Sequence, residues 1–563
     1  MEKIIKLKEF FKSEKIDGYF IPKNDEFFGE YISSYNDRLN YISNFSGSYG
    51  FALILKTKNY LFVDGRYTLQ ANAQSGKNFE IIEHHKKKIW NILKHDIKLG
   101  FNPFCFTSLS LARNFKNYFK VIPIYKDLIS LKISKKIDNK FYLLKDSVTG
   151  ESSNAKIKRV LQFLKKDKSD CIFITAPENV SWLLNMRGKD NPYSPIPNCR
   201  LILKKNGEIN LFAKKSKLGN LFKKNSSFKV KVINENKIKN FLNRGCYKKI
   251  IIDKQSCSLG YENILRKKSK ISIKSDPIYQ MKSIKNETEI KNIIRSHIFD
   301  GVAVTKFLYW IKNNNKKISE LQAEKKLEFF RKKNKNYLFP SFNTISATGP
   351  NGAVIHYRAN KSSNRIIKKN DIYLCDSGGQ YNYGTTDITR TLNFKKQTKR
   401  IMNIFTCVLK GHIAVVTADL NKIKSADKLD NLARKFLKKE GLDYPHGTGH
   451  GVGFFLNVHE GPIAISRGYK IPLEAGQIIT NEPGFYKKNN FGIRIENMIY
   501  IKEKGKKIFF DNLTMVPIEK NLINYNLLNK NEKDYLIKYN LEIYRNLEKY
   551  LSYNEKFWLL SQF

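Results

Sequence analysis

The residue types that could do chemistry concentrate between positions 446 and 496. His446, His450 and His459 lie among closely spaced glycines in HGTGHGVGFFLNVHEGP, in a chain with only nine histidines. Glu482 follows in TNEPGFY and Glu496 in FGIRIEN. Two aspartates lie upstream, Asp376 in CDSGGQY and Asp387 in TTDITRT. Glu482 and Glu496 each sit on an apolar, β-prone run, and their midpoint is Asn489, inside the polar run Lys487–Asn490. A hairpin turning there sets the two carboxylates opposite each other. Asp376 and Asp387 behave alike, with a midpoint beside the turn-like tripeptide Asn382-Tyr383-Gly384. Four carboxylates that converge in a low-dielectric site repel one another unless a cation neutralises them. With His450 as an imidazole ligand, the set suits harder divalent ions such as Mn²⁺, Co²⁺ or Zn²⁺. Five ligands with bridging carboxylates fit two ions roughly 3.5–4 Å apart, a pair that holds a hydroxide and polarises a carbonyl.

These residues need strands to aim them. On FGIRIEN, Arg494 shares a face with Glu496, because strand side chains repeat every two residues, and is placed to orient a ligand carboxylate. The glycines at 447, 449, 451 and 453 let the backbone pass close to the metals. The run is no nucleotide loop, since no dinucleotide-type βαβ unit follows it. His356 ends the apolar run AVI and is expected at a strand end. Upstream, Asn286 and Glu289 form a capping box. Ile290, Ile293, Ile294, His297, Ile298, Val304 and Leu308 follow at helical spacing, with His297 as a core histidine. A second helix is expected near Ser319–Lys332, and amphipathic helices over 397–440. LTMVPI reads as a closing strand, and Asn531–Leu551 as an aromatic-rich helix packed on the catalytic unit or on a second subunit.

The N-terminal half is α/β in pattern. DGYFIP, YGFALILK, YLFVDGRYTLQ and CIFIT are strand-like, and Ile4, Ile5, Leu7, Phe10 and Phe11 form one side of an amphipathic helix rather than a secretory segment. Residues 133–155 read as a linker. Trp182 and Leu183 read as core, and Arg187 with Asp190 as an interface pair. The expected division is 1–142 and 143–276 as two α/β units, 277–510 as an α+β unit carrying the chemistry, and 511–563 as a C-terminal extension. The two α/β units are candidates for duplicates in fold, although no repeat is legible in the sequence.

Length excludes a single core: 563 residues require two to four domains. No run of about 18 apolar residues occurs, so no membrane span is expected. Seven scattered cysteines without a CxxC read as reduced thiols of a cytosolic chain. The net charge of +51 raises nucleic-acid binding. The lysine runs (Lys86–Lys88, Lys135–Lys136, Lys165–Lys166, Lys214–Lys215) are dispersed and lack aromatic interleaving, so they read as surface charge, with no specific nucleic-acid partner.

The motifs DSGGQYNYGTTDITRT, HGTGHGVGFFLNVHEGP, NEPGFY and FGIRIEN, in that order, closely resemble the pita-bread metallopeptidases, specifically the three-domain Xaa-Pro aminopeptidases. LNYISNFSGSYGFALI with FVDGRYTLQAN, ENVSWLLNMRGKDNP and GPNGAVIHYR resemble further signatures of that family. Asn481 stands where the family often carries an acid, Gly379 where Ala is common, and Tyr41 where Trp is frequent; none removes a ligand. The resemblance implies two creatinase-like α/β domains and a pita-bread catalytic domain. It implies that Asp376, Asp387, His450, Glu482 and Glu496 bind two divalent ions, usually Mn²⁺. It implies substrate or transition-state roles for His356, His446 and His459, with Glu482 moving the proton and His356 facing the developing oxyanion. Arg66, in DGRY, approaches the peptide site in the family; on sequence alone an ordinary salt bridge serves equally. The implied activity is release of an N-terminal residue ahead of proline by a homodimeric cytoplasmic enzyme. Rival readings are an Xaa-Pro dipeptidase, a metal-free creatinase-like hydrolase, and a catalytically inactive binding module.

Overall fold

Short apolar runs in the first 278 residues fold into two sheets built to one plan. The computed structural model describes residues 1–563 except 66, 85, 87, 94, 95, 116, 117, 130, 132–138, 223–228 and 424. It separates into two compact units, Met1–Lys145 with Glu151–Ile278, and Asp146–Gly150 with Tyr279–Phe563.

In the first sheet, Gly18–Pro22 runs antiparallel to Phe51–Leu55 and parallel to Lys98–Phe101. Phe51–Leu55 is antiparallel to Asn59–Val63, which is parallel to Glu80–Glu83, and Lys98–Phe101 is parallel to Lys120–Pro123. The second sheet repeats every pairing. Cys171–Ile174 is antiparallel to Cys199–Lys204 and parallel to Ile250–Ile252. Cys199–Lys204 is antiparallel to Ile209–Ala213, which is parallel to Val230–Asn234, and Ile250–Ile252 is parallel to Ile271–Ile273. Strand order and direction therefore agree throughout. The duplication is hidden in the sequence because buried strands require only apolar residues of suitable shape, not the same ones.

The first helix, Glu2–Ser13, buries Ile4, Leu7 and Phe11, while Ile5 is 54% exposed. Its apolar stripe is thus narrower than the five residues expected. Trp182 and Leu183 are buried, as expected, in Pro177–Leu183. Asp190 is held by Lys217 Nζ and by the Asn198 amide, and Arg187 donates to the carbonyls of Ser181 and Met186. The segment read as a linker is structured where it is described. Tyr142–Leu143 pairs with Met186–Arg187, and Ser153–Asp167 is a helix capped by the Ser152 side chain. Asp146–Thr149 joins the second unit, where Asn286 Nδ2 and Asn292 Nδ2 donate to the carbonyls of Thr149 and Val148.

The second unit opens on the helix Glu287–Lys312, started by the reciprocal bonds of Asn286 and Glu289. His297 is buried in it, Nδ1 against Ile293 O at 2.8 Å, and is a core residue. Glu320–Lys332 follows, with its own Ser319–Gln322 capping box. Ile372–Ser377 lies between Ile345–Thr348 and Ile388–Asn393 in an antiparallel sheet. Asn497–Lys504 lies between Ile478–Asn481 and Lys507–Asn512 in another. Lys399–Val416 and Ala426–Lys439 are the two amphipathic helices expected.

LTMVPI is not a strand. It follows Lys507–Asn512 as irregular buried chain, and the carbonyls of Val516 and Pro517 accept from Arg390 instead of from a strand partner. The helix Lys530–Leu547 buries Leu536, Tyr539, Ile543 and Leu547 in a core shared with Phe405, Val408 and Ile493, and a last short helix, Tyr553–Leu560, follows it. Among the described residues, no helix is long and apolar enough to cross a membrane.

Candidate metal centre

Two hairpins bring the acidic side chains together, each by its own register. Gly484–Lys487 pairs with Phe491–Arg494, and Ile478–Asn481 with Asn497–Lys504. Gly484↔Arg494 and Asn481↔Asn497 belong to one continuous register, so Glu482 and Glu496 face each other where the two ladders meet. The turn contains Asn489 at φ 57°, a left-handed conformation that Asn tolerates. The aspartate hairpin is offset. Gln380↔Thr385 and Tyr381↔Gly384 close a two-residue turn at Asn382 and Tyr383, and Asp376 pairs with Thr389. Asp387 is therefore the diagonal neighbour of Asp376, two residues from directly opposite.

Ligand atoms of Asp387, His450 and Glu496 all lie within 4.8 Å of one another. His450 Nε2 stands 3.5 Å from Asp387 Oδ2 and 3.7 Å from Glu482 Oε1. Such spacings are long for hydrogen bonds and suit atoms that share one ion through bonds of about 2.0–2.2 Å. Asp376 Oδ1 is buried without a hydrogen-bond partner, while Arg494 donates to Asp376 Oδ2 at 2.5 Å. Thr389 Oγ1 donates to Glu496 Oε2 at 2.6 Å and accepts from Arg494 Nε at 3.0 Å. Burial pushes the Glu482 and Glu496 carboxyls up. For Glu496, Asp387, Glu482 and Asp376 push it further; for Glu482, His450 and Arg494 oppose the rise and the two aspartates add to it. An array of oxygens with one imidazole nitrogen, mutual carboxylate repulsion and an unsatisfied buried oxygen fits divalent cations.

The histidines differ in setting. His450 holds its ring through Nδ1 and Gly451 O at 3.0 Å, and the His459 ring centroid is 4.1 Å away. His446 Nε2 bonds Tyr486 OH at 2.9 Å, and that hydroxyl accepts from Arg494 NH1 at 2.6 Å. A chain of contacts thus runs His446–Tyr486–Arg494–Asp376. Burial pushes the Tyr486 phenol up to about 12, so it stays protonated. His356 is not at a strand end. It lies half-buried in the turn after the 3-10 segment Gly349–Ala353, which packs on Phe491–Arg494. Proline at 350 and glycine at 352 defeat the strand: a Cβ on Gly352 would meet the Gly492 amide at 3.0 Å. Arg66 lies outside the described residues.

Two of the loop glycines serve neighbouring backbone. A Cβ at Gly449 would stand 1.9 Å from Thr480 O, and one at Gly451 2.2 Å from Glu460 O. They permit close packing of chain on chain, which then fixes His450. The sequence reading missed Tyr486, Thr389 and Arg390, though all three lie inside the quoted motifs. Arg390 is buried and donates to Glu496 O at 2.7 Å, Asn497 Oδ1 at 2.8 Å and Tyr539 OH at 3.0 Å. Tyr539 ties the helix Lys530–Leu547 to the glutamate strand, a role no local signal announces.

Residues 291–503 match metallopeptidase family M24, and 507–562 match the C-terminal region of that peptidase family. Residues 3–129 and 134–289 each match the creatinase/prolidase N-terminal domain. The chain is 36% identical to a probable Xaa-Pro aminopeptidase P of Laccaria bicolor, over 96% of this chain and 89% of that protein. It is 35% identical to Xaa-Pro aminopeptidase 1 of Dictyostelium discoideum, over 96% and 92%. The crystal structure of X-prolyl aminopeptidase from Caenorhabditis elegans, described as a cytosolic enzyme with a di-nuclear active site, superposes with a TM-score of 0.91 at 28% identity, covering 100% of this chain and 99% of that one. Prolidase from Pyrococcus furiosus gives 0.53 at 26% identity, covering 63% of this chain and 98% of that one. With its creatinase-like α/β domains and α+β pita-bread domain, the chain belongs to the Xaa-Pro aminopeptidase P family of M24 metallopeptidases and is a metal-dependent aminopeptidase.

Proposed function

We propose that the chain releases the N-terminal residue from peptides with proline in second position, using two divalent ions held by Asp376, Asp387, His450, Glu482 and Glu496. The observation that carries this reading is the approach of Asp387, His450 and Glu496 ligand atoms to within 4.8 Å, beside the unpartnered Asp376 Oδ1. The relatives named as Xaa-Pro aminopeptidases supply the substrate class, and the di-nuclear site of the C. elegans enzyme supplies the ion count. Mn²⁺ is the proposed ion, with Co²⁺ or Zn²⁺ as substitutes.

Bound ions supply Lewis acidity and lower the pKa of water. The remaining tasks fall to side chains. Glu482 takes a proton from the attacking water and passes it to the leaving nitrogen. His356 donates to the oxyanion that develops on the scissile carbonyl. His446, fixed by Tyr486, and His459, beside His450, bind the substrate on either side of the bond. Arg494 orients Asp376, and Arg66 is assigned to a carbonyl or carboxylate of the peptide. Proline suits such a site because its tertiary amide has no N–H to satisfy. The proposal extends to the domain limits 1–142, 143–276, 277–510 and 511–563, to a homodimer, and to a cytoplasmic location.

The test is metal analysis of protein purified without added ions, alongside turnover of an Xaa-Pro-Xaa peptide, its Ala-for-Pro analogue and an Xaa-Pro dipeptide. Two ions per chain and cleavage of the first peptide alone are expected. Equal turnover of the Ala analogue would remove the proline specificity. Cleavage of the dipeptide alone would make the chain a dipeptidase, and no turnover with no metal would leave a binding module.

A further inference from the structure

A second buried charge pair sits behind the aspartate hairpin and touches both of its strands. Asp300 comes from the helix Glu287–Lys312 and Arg331 from the helix Glu320–Lys332. Arg331 Nε donates to Asp300 Oδ1 at 2.7 Å and Arg331 NH2 to Asp300 Oδ2 at 3.2 Å, and both side chains are almost wholly buried. The pair then reaches three residues of the hairpin. Arg331 NH2 donates to Ser377 Oγ at 3.0 Å, Thr386 Oγ1 donates to Asp300 Oδ2 at 3.0 Å, and Tyr381 OH donates to Asp300 Oδ1 at 2.7 Å. Ser377 follows Asp376 and Thr386 precedes Asp387. Thr386 Oγ1 also accepts from Gly379 N at 2.9 Å, across the hairpin.

We propose that Asp300 and Arg331 are positioning residues for the metal centre, setting the separation of Asp376 and Asp387 through Ser377 and Thr386. The inference rests on the reading of the two aspartates as metal ligands. Its physical basis is the offset register described above. Diagonal residues on a twisted hairpin are not held at a fixed carboxylate distance by the ladder alone. A bidentate Arg–Asp pair has fixed planar geometry, and it is anchored here on two packed helices. The bonds to Ser377 and Thr386 each land one residue from a ligand, on opposite strands of the hairpin. The ligand carboxylates are thus fixed from behind, on the side away from the cations, as partners of metal ligands commonly are.

The experiment measures Mn²⁺ affinity of metal-stripped full-length protein by chelator competition, for wild type, Ser377→Ala, Thr386→Val, Thr386→Ser, Asp300→Asn and Ser377→Ala/Thr386→Val. The melting temperature of each metal-free protein is recorded alongside. The first two substitutions leave the Asp300–Arg331 pair intact and so preserve the fold should Asp300→Asn lose it. The expected result is a 10–100-fold weaker Mn²⁺ affinity in Ser377→Ala/Thr386→Val, with the metal-free melt within a few degrees of wild type and with Thr386→Ser near wild type. Asp300→Asn, where it folds, is expected to weaken Mn²⁺ binding as well, because it removes the carboxylate that accepts from Thr386 Oγ1. Unchanged Mn²⁺ affinity in the folded double variant overturns the proposal. A wild type that takes up no Mn²⁺ instead overturns the ligand assignment itself.

Discussion

Arg494 and Asp376 share a 2.5 Å bond through one carboxylate oxygen, while the other oxygen of Asp376 is buried with no hydrogen-bond partner. The guanidinium balances one side of the carboxylate and leaves the other side for a cation. Arg494 also donates to Thr389 Oγ1 and Tyr486 OH, so its planar fork holds three groups at once. Arg494→Lys keeps the charge and loses that fork. We expect kcat/KM to fall about 100-fold, roughly 2.7 kcal/mol of transition-state stabilisation. Metal affinity should fall about 10-fold. Steady-state kinetics at saturating Mn²⁺ check the first value, and an unchanged kcat/KM would show that a point charge suffices there.

Glu320 gathers the loop that carries His356. Its buried carboxylate accepts from Thr348 N at 2.7 Å, Tyr357 OH at 2.8 Å, Arg365 N at 2.9 Å and Asn351 Nδ2 at 3.0 Å. Four donors from residues 348–365 thus converge on one side chain at a helix N-terminus. Glu320→Gln turns one acceptor into a donor that faces other donors. The expected cost is about 2–3 kcal/mol of stability. A lower kcat with little change in KM is expected as well, because His356 is assigned to the transition state. Melting curves and kinetics together check this. A destabilised variant with wild-type kcat would separate His356 from the loop's anchoring.

Asp276 gives the N-terminal unit a pH dependence of defined sign. Burial pushes its carboxyl up to about 6, against the opposing bonds from Ile278 N and Asn179 Nδ2. A folded-state value above the unfolded one of about 3.9 means that the folded chain binds the extra proton. The carboxyl is therefore tolerated below about pH 4, and stability is lost as pH rises through about 6. The loss levels off at roughly 3 kcal/mol. In Asp276→Asn, Asn179 can rotate its amide, whose Oδ1 is buried and unpaired, to accept from the new side chain. The variant should gain stability relative to wild type between pH 4.5 and 7. Denaturant unfolding of both proteins across that range checks the slope, and a constant difference would place the titration elsewhere.

What the sequence makes legible follows from how local the cause is. The opposition of Glu482 and Glu496 is local: a turn near Asn489 fixes it, and both flanking ladders keep that register. The diagonal of Asp376 and Asp387 needs the turn to be placed at Asn382 and Tyr383 to the residue, which composition alone does not do. His356 looks like a strand end because AVI is apolar, yet Gly349–Ala353 coils to lie against Gly492, a partner about 140 residues away in sequence. Tyr539 on Arg390, and Arg331 on Ser377, are likewise contacts between distant residues. Periodicity speaks only of which face of an element is apolar and is silent on which buried polar group another element supplies.

Removing the cations should destabilise wild type far more than it destabilises a ligand variant. Without a cation, burial and the neighbouring charges of Asp387, Glu482 and Asp376 all raise the cost of ionising Glu496. An ion that binds only the folded chain stabilises it by about 2.7 kcal/mol at 100 times its Kd. Wild type is therefore expected to melt lower in chelator than in excess Mn²⁺. Asp387→Asn removes one repelling charge and one of the proposed ligands. Its chelated form should melt at or above chelated wild type, and added Mn²⁺ should raise its melting temperature far less. Calorimetric scans of both proteins with chelator and with Mn²⁺ check both the smaller rise and the order of the chelated forms. An Mn²⁺-induced rise in Asp387→Asn equal to that of wild type would mean that this carboxylate does not hold the ion.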